Sequence, residues 1–145
     1  MKALIQRVKN ASVTIDGELY SKINKGMLIF LGVEKTDEIE NAKKLAEKLV
    51  TLRIFEDDQG KMNKSLVDTH GEILVVSQFT LMGDCKKGTR PSFDKAAPPE
   101  KANSLYEDFV KIISQSGLTV KTGKFQAMMD ISLVNDGPVT LLVEK

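Results

Sequence analysis

The chain has 145 residues, 41% of them hydrophobic, enough for one domain that buries roughly 68–70% of its unfolded surface without a disulfide or metal staple. Lys and Arg total 21 against 20 Asp and Glu, a formal charge of +1, which excludes attraction to nucleic acid by net charge and leaves only a local patch for such contact. The single Cys85 excludes an intrachain disulfide and a multi-cysteine zinc site, and favours a reducing, cytoplasmic setting.

Residues 1–15, MKALIQRVKNASVTI, alternate apolar and polar side chains as a half-buried strand does, without the apolar run of a signal peptide. No later stretch approaches the ~20 apolar residues of a membrane span. Asp16-Gly17 suits the positive φ angles of a type I' hairpin turn. Residues Gly26 to Val33 form a short apolar run bounded by glycines, which predicts a central strand buried on both faces. From Asp37, the predicted N-cap, Ile39, Ala42, Leu45, Ala46 and Leu49 recur at helical spacing. Strand character resumes at Leu52 to Phe55 and again at Ile73 to Leu81, with Asp57 to Gly60 as a polar turn. A second helix is predicted from Pro98-Pro99, carrying Ala102, Leu105, Phe109, Ile112 and Ile113 inward until Gly117 ends it. Leu118 to Lys145 reads as strands. The elements do not alternate strictly, so the expected fold is α+β: one domain over 1–145, a β-barrel-like curled sheet flanked by two helices.

Hydrolytic side chains are scarce. His70 is the one histidine, beside Gly71 in a predicted turn with no evident partner, and reads better as a solvated turn residue than as part of a Ser-His-Asp triad. Neither an HExxH or GxSxG motif, nor a glycine-rich phosphate loop, nor a metal-spaced His/Cys set is present. Any catalysis must use hydroxyls, amides, main-chain groups or the substrate itself.

Three segments stand out. Ser77-Gln78-Phe79-Thr80-Leu81 places polar groups at the end of an apolar strand, with Gln78 and Thr80 on one face and Ser77 and Phe79 on the other. The bland reading is that these groups satisfy one another. Asn135-Asp136-Gly137-Pro138-Val139-Thr140 interrupts strand-like sequence with a proline that cannot donate to a ladder, as an edge irregularity or a cis X-Pro bond would. Lys86-Lys87-Gly88-Thr89-Arg90 is a basic loop, either a solvated surface or a phosphate contact.

Taken together, SQFTL at 77–81 and NDGPVT at 135–140 resemble the two signature motifs of the D-aminoacyl-tRNA deacylase family. QRV at 6–8, RIF at 53–55 followed by GKMNKS at 60–65, and GTRPSF at 88–93 extend the likeness over essentially the whole chain. The resemblance implies a homodimer in which Gly137-Pro138, in cis, reaches into the partner's pocket around Ser77 to Leu81. It implies hydrolysis of the ester between a D-amino acid, or glycine, and the 3' end of tRNA, with no cofactor or metal. Ser77, Gln78, Phe79 and Thr80 would form the catalytic segment, and Arg7, Lys86, Lys87, Arg90 and Met129 would contact substrate. Met129 reads equally as core filler. One departure is Gln126, where the family usually carries glycine before the alanine that here is Ala127.

Thr80 is a poor nucleophile without a base, so main-chain N–H groups near Phe79 and Thr80, aided by the neighbouring ribose hydroxyl, are the preferred machinery. A non-catalytic RNA-binding module would explain the basic loop alone, and a structural dimerisation domain would explain Gly137-Pro138 alone.

Overall fold

The first strand sets the architecture. β1 (Lys2–Ile15) is long enough to pair with three neighbours, and a computed structural model covering residues 1–145 places them all antiparallel to it. On one side lie β2 (Glu18–Ile23) against its distal half and β3 (Gly26–Gly32) against its proximal half. On the other runs β8 (Asp130–Glu144), which pairs with no other strand. The β1–β2 turn has Asp16 at φ 52° and Gly17 at φ 81°, the two positive angles expected of a type I' hairpin.

Beyond β3 the sheet turns parallel, with β6 (Glu72–Ser77) and then β7 (Val120–Thr122), giving the order β2-β1-β3-β6-β7. The hydroxyl of Ser21 on β2 donates to the Thr122 carbonyl on β7 at 2.8 Å, so the two ends of the curled sheet meet and the barrel nearly closes. A small hairpin of β4 (Phe55–Glu56) and β5 (Met62–Lys64) lies outside it.

Strand alternation divides the apolar residues between two cores. Ile5, Met27, Ile29, Leu31, Ile73 and Val75 face α1 (Ile39–Thr51) and α3 (Pro99–Ser114), which contribute Leu45, Leu49, Leu105 and Phe109. Val8, Val13, Leu28, Leu74 and Val76 fill the barrel side. β3 is therefore covered on both faces, as its unbroken apolar run predicts.

The structure departs from expectation in four places. Asp37 is not the N-cap of α1; Glu38 is, its N–H donating to the Asn41 side-chain oxygen at 2.9 Å. Asp37 is buried, and its carboxylate accepts from the Met1 ammonium and from the Glu34 N–H, the latter at 2.6 Å. A third helix, the single turn α2 (Leu66–Thr69), joins the two expected; it is capped by a reciprocal Ser65/Asp68 box, a pattern the sequence carries. The strand anticipated over Leu52 to Phe55 shrinks to Phe55–Glu56. The strand expected to reach Leu81 stops at Ser77, and Phe79–Met82 forms a 3-10 turn. Gly32 accounts for that stop: a Cβ there would lie 2.9 Å from Met82 Cε and 3.1 Å from the Gln78 carbonyl, so its bareness lets the chain fold across the end of β3. No helix is long and apolar enough to cross a membrane.

Tyr106 on α3 ties the helical layer to the sheet. Its buried hydroxyl donates to the Val75 carbonyl at 2.9 Å, and the same carbonyl accepts the Gly123 N–H at 2.9 Å. Burial, and secondarily Tyr20, push its ionisation above the ordinary 10.0. Because the folded value is raised, the stability it confers is complete below pH 10.0 and declines as pH rises beyond it. Tyr106→Phe should cost about 1 kcal/mol at neutral pH and flatten the loss of stability above pH ~10, measured by urea unfolding at several pH values.

Candidate active site

Ser77 closes β6, and the Gln78 N–H still bonds to the Leu31 carbonyl at 2.8 Å, so the ladder with β3 carries to the mouth of the turn. Within the turn the first bonded amide is that of Leu81, which reaches the Gln78 carbonyl at 3.3 Å. The Phe79 and Thr80 N–H groups precede it and lie among the orphan donors that every helical start leaves. Two main-chain donors thus sit side by side on an exposed turn fixed to a buried strand. The Gln78 side-chain amide donates to the Thr80 hydroxyl, so the expectation that these two side chains share a face survives the change from strand to turn.

Aromatic groups wall one side. Phe79, 57% exposed, meets Phe93 edge-on with centroids 5.2 Å apart. The segment between is a closed loop: Asp84 and Ser92 exchange main-chain bonds at 2.8 and 3.0 Å, and Lys86, Lys87 and Arg90 lie exposed on it, outside every ion pair of the chain.

The other wall is the loop from β7 to β8. Its first residue, Gly123, bonds to Val75, and its Phe125 ring lies 6.1 Å from Tyr106. Met129 is half-buried over Gly123, where an added Cβ would come within 2.8 Å of its sulfur, and that sulfur accepts the Lys124 N–H at 3.3 Å. Met129 also packs on the Val76 cluster, as core filler does. Gln126 has φ 61°, a left-handed backbone that glycine adopts freely and glutamine does not.

The Asn135–Thr140 motif stands elsewhere. Val8 on β1 faces Asn135 and Gln6 faces Thr140, so residues 136–139 bulge out opposite Arg7 alone. The Gly137–Pro138 peptide is cis, and both residues are exposed. Arg7 is 3% exposed, and its guanidinium is engaged by the protein. It donates to the carbonyls of Ile54 at 2.6 Å, Asp136 at 3.1 Å and Gly137 at 3.4 Å, and pairs with the Asp136 carboxylate at 3.1 Å. Arg7, expected to touch substrate, holds the bulge within this chain.

Register gives the distance between the motifs within one chain. From β8 to β6 the path crosses β1 and β3, three spacings or about 14 Å; from the level of Ile73, which aligns with Met27 and Arg7, to Ser77 is about 13 Å. Measured along the curled sheet, the two motifs are about 20 Å apart. His70 ends α2 at the opposite end of β6 from Ser77, about 16 Å away, so a triad with that serine is excluded. Tyr106 and Phe125 do not stand out in the sequence, while Phe93 and Asn135 are visible only as parts of the GTRPSF and NDGPVT segments, with nothing to mark their contacts.

The model of the D-Tyr-tRNA(Tyr) deacylase family matches residues 4–144. D-aminoacyl-tRNA deacylases of Desulfatibacillum aliphaticivorans and Geotalea daltonii are 59% and 60% identical over 144 residues, spanning 99% of this chain and 99% and 96% of their own. A solved structure named c-Myc DNA Unwinding Element Binding Protein superposes with a TM-score of 0.94 at 42% identity, over 100% of this chain and 99% of that one. Another, described as a probable eukaryotic D-amino acid tRNA deacylase, shares the fold at 16% identity with a TM-score of 0.89, covering 99% and 98% of the two chains. By a family match across nearly its full length, and by relatives this similar, the chain belongs to the D-Tyr-tRNA(Tyr) deacylase family.

Proposed function

We propose that the protein hydrolyses the ester of D-aminoacyl-tRNA, and of glycyl-tRNA, as a cytoplasmic homodimer without metal or cofactor. The observation that carries this reading is the pair of unpartnered main-chain donors at Phe79 and Thr80, set between an aromatic wall and the Gly123–Met129 loop. Donors fixed in advance where negative charge develops are what ester hydrolysis most needs. Water attacks the ester carbonyl carbon, and the carbonyl oxygen gains charge facing the two N–H groups. The bond to the ribose oxygen then breaks, and the proton given up by water reaches that leaving oxygen through the neighbouring ribose hydroxyl. Ser77 and Gln78 hold the turn, Met129 bounds the pocket, and the Thr80 hydroxyl, accepting from Gln78, positions the ester rather than attacking it.

Handedness is read by a second copy of the chain. Gly137 and Pro138 lie three strand spacings from the turn along the sheet, and they bulge from β8, whose outer edge is unpaired and carries exposed Val134, Leu141 and Leu142. A bare edge of this length invites pairing with another chain. In the partner's pocket the two carbonyls hold the α-ammonium of the substrate and leave no room for an L side chain. The Gly137 carbonyl keeps a lone pair for this purpose beside its long contact with Arg7. Arg7 thus acts on substrate through the bulge. Glycine has no side chain to exclude and is accepted.

D-, L- and glycyl-tRNA should be cleaved in the pattern fast, negligible, fast, when release of free amino acid is followed. Equal turnover of D and L esters, or inert glycyl-tRNA, would refute the exclusion model. The name of the 42%-identical structure favours one second reading, nucleic-acid binding without chemistry, which predicts tRNA binding indifferent to the aminoacyl group. Thr80→Ala should keep most of the wild-type kcat, whereas an acyl-Thr80 adduct trapped by acid quench and seen by mass spectrometry would assign it as nucleophile. Replacing Lys86, Lys87 and Arg90 together by alanine should raise KM and reduce the log–log salt dependence of tRNA binding by about 2–3, one increment for each phosphate no longer neutralised.

A further inference from the structure

The bulge of β8 leaves main-chain groups without ladder partners, and one side chain replaces them. The Asn135 carboxamide donates one N–H to the Arg7 carbonyl on β1 at 2.9 Å and the other to the Val139 carbonyl, at the far end of the bulge, at 3.1 Å. Both recipients are nearly inaccessible, Arg7 at 3% and Val139 at 4%, so these carbonyls have little recourse to water. The amide orientation is unambiguous, since two acceptors require the two-proton nitrogen. Arg7 returns the contact with its guanidinium to the Asp136 and Gly137 carbonyls. The bulge is thereby pinned at its base by Asn135 and along its rise by Arg7. Around Gly137 itself there is slack: a Cβ built there would meet only the Asn135 side-chain oxygen, at 3.8 Å.

We propose that Asn135 is a positioning residue for chiral selection, fixing how far the Gly137 and Pro138 carbonyls project without touching substrate. This rests on the reading that those carbonyls exclude L side chains. Tethering residues 135 and 139 to each other and to β1 sets the height of the loop between them. Releasing either tether lets the carbonyls recede and opens the space an L side chain needs. Receding carbonyls also loosen their hold on the α-ammonium, so KM rises for either ester, but the Phe79–Thr80 turn that polarises the ester is untouched, and the loss of exclusion appears in kcat for the L ester.

Asn135→Asp keeps shape and size but turns oxygen toward both carbonyls, and Asn135→Ala removes the group. For each folded variant, kcat and KM are measured on D- and L-aminoacyl-tRNA alongside wild type. The D-to-L ratio of kcat/KM should fall at least tenfold, chiefly through a rise in kcat for the L ester, while kcat for the D ester stays within about threefold. An unchanged ratio in both variants overturns the proposal, as does equal loss on D and L esters. If neither variant retains the wild-type far-UV spectrum, Asn135 is a folding residue and the proposal fails. A wild-type enzyme that did not discriminate would instead sink the exclusion reading, so the two failures are distinguishable.

Discussion

A break in one ladder, opposite Arg7, organises the candidate functional half of this molecule. β1 and β8 pair along almost their whole length, and opposite Arg7 the pairing stops while β8 makes its bulge. A buried strand cannot leave its donors and acceptors empty, so each group exposed by the break needs a substitute. Arg7 and Asn135 provide them, which is why a guanidinium sits in the interior: every contact it makes is with a carbonyl or a carboxylate. A charge so buried is tolerable only when paired and hydrogen-bonded throughout.

The second functional element depends on the opposite device, an absence of side chain. Gly32 lets residues 78–82 cross the end of β3, and Gly123 lets Met129 settle over the loop that follows β7. Val75 receives Tyr106 from the helical layer and Gly123 from that loop, so the helical layer and one wall of the candidate pocket share one anchor in β6. Rigid strands thus carry a short turn whose unpartnered donors belong to the main chain.

Much of this is legible in the sequence. Strand alternation, the doubly buried run at Gly26–Gly32, the Asp16-Gly17 turn and both long helices follow from periodicity and turn chemistry that tertiary contacts reinforce. The departures share a cause. Asp37 carries an N-cap residue type, but the Met1 ammonium claims its carboxylate, and Glu38 with Asn41 caps the helix instead. Ser77 to Leu81 looks strand-like because nothing in those letters reveals that Gly32, far away in sequence, opens a path across the sheet. The basic loop and the two motifs are visible as unusual residues, but that Arg7 points inward to hold one of them depends on register, which a single sequence does not specify.

One consequence concerns mutational drift. The atoms presented at the bulge and at the Phe79–Thr80 turn belong to the peptide unit, which nearly every residue type carries, so few codon changes can delete them outright. Vulnerability is transferred to the scaffold: Arg7 and Asn135 make the bonds that hold the bulge, and Gly32 leaves the space the turn occupies. Lineages carrying this fold should therefore vary freely around these exposed peptide groups while staying frozen at the positions that hold them in place.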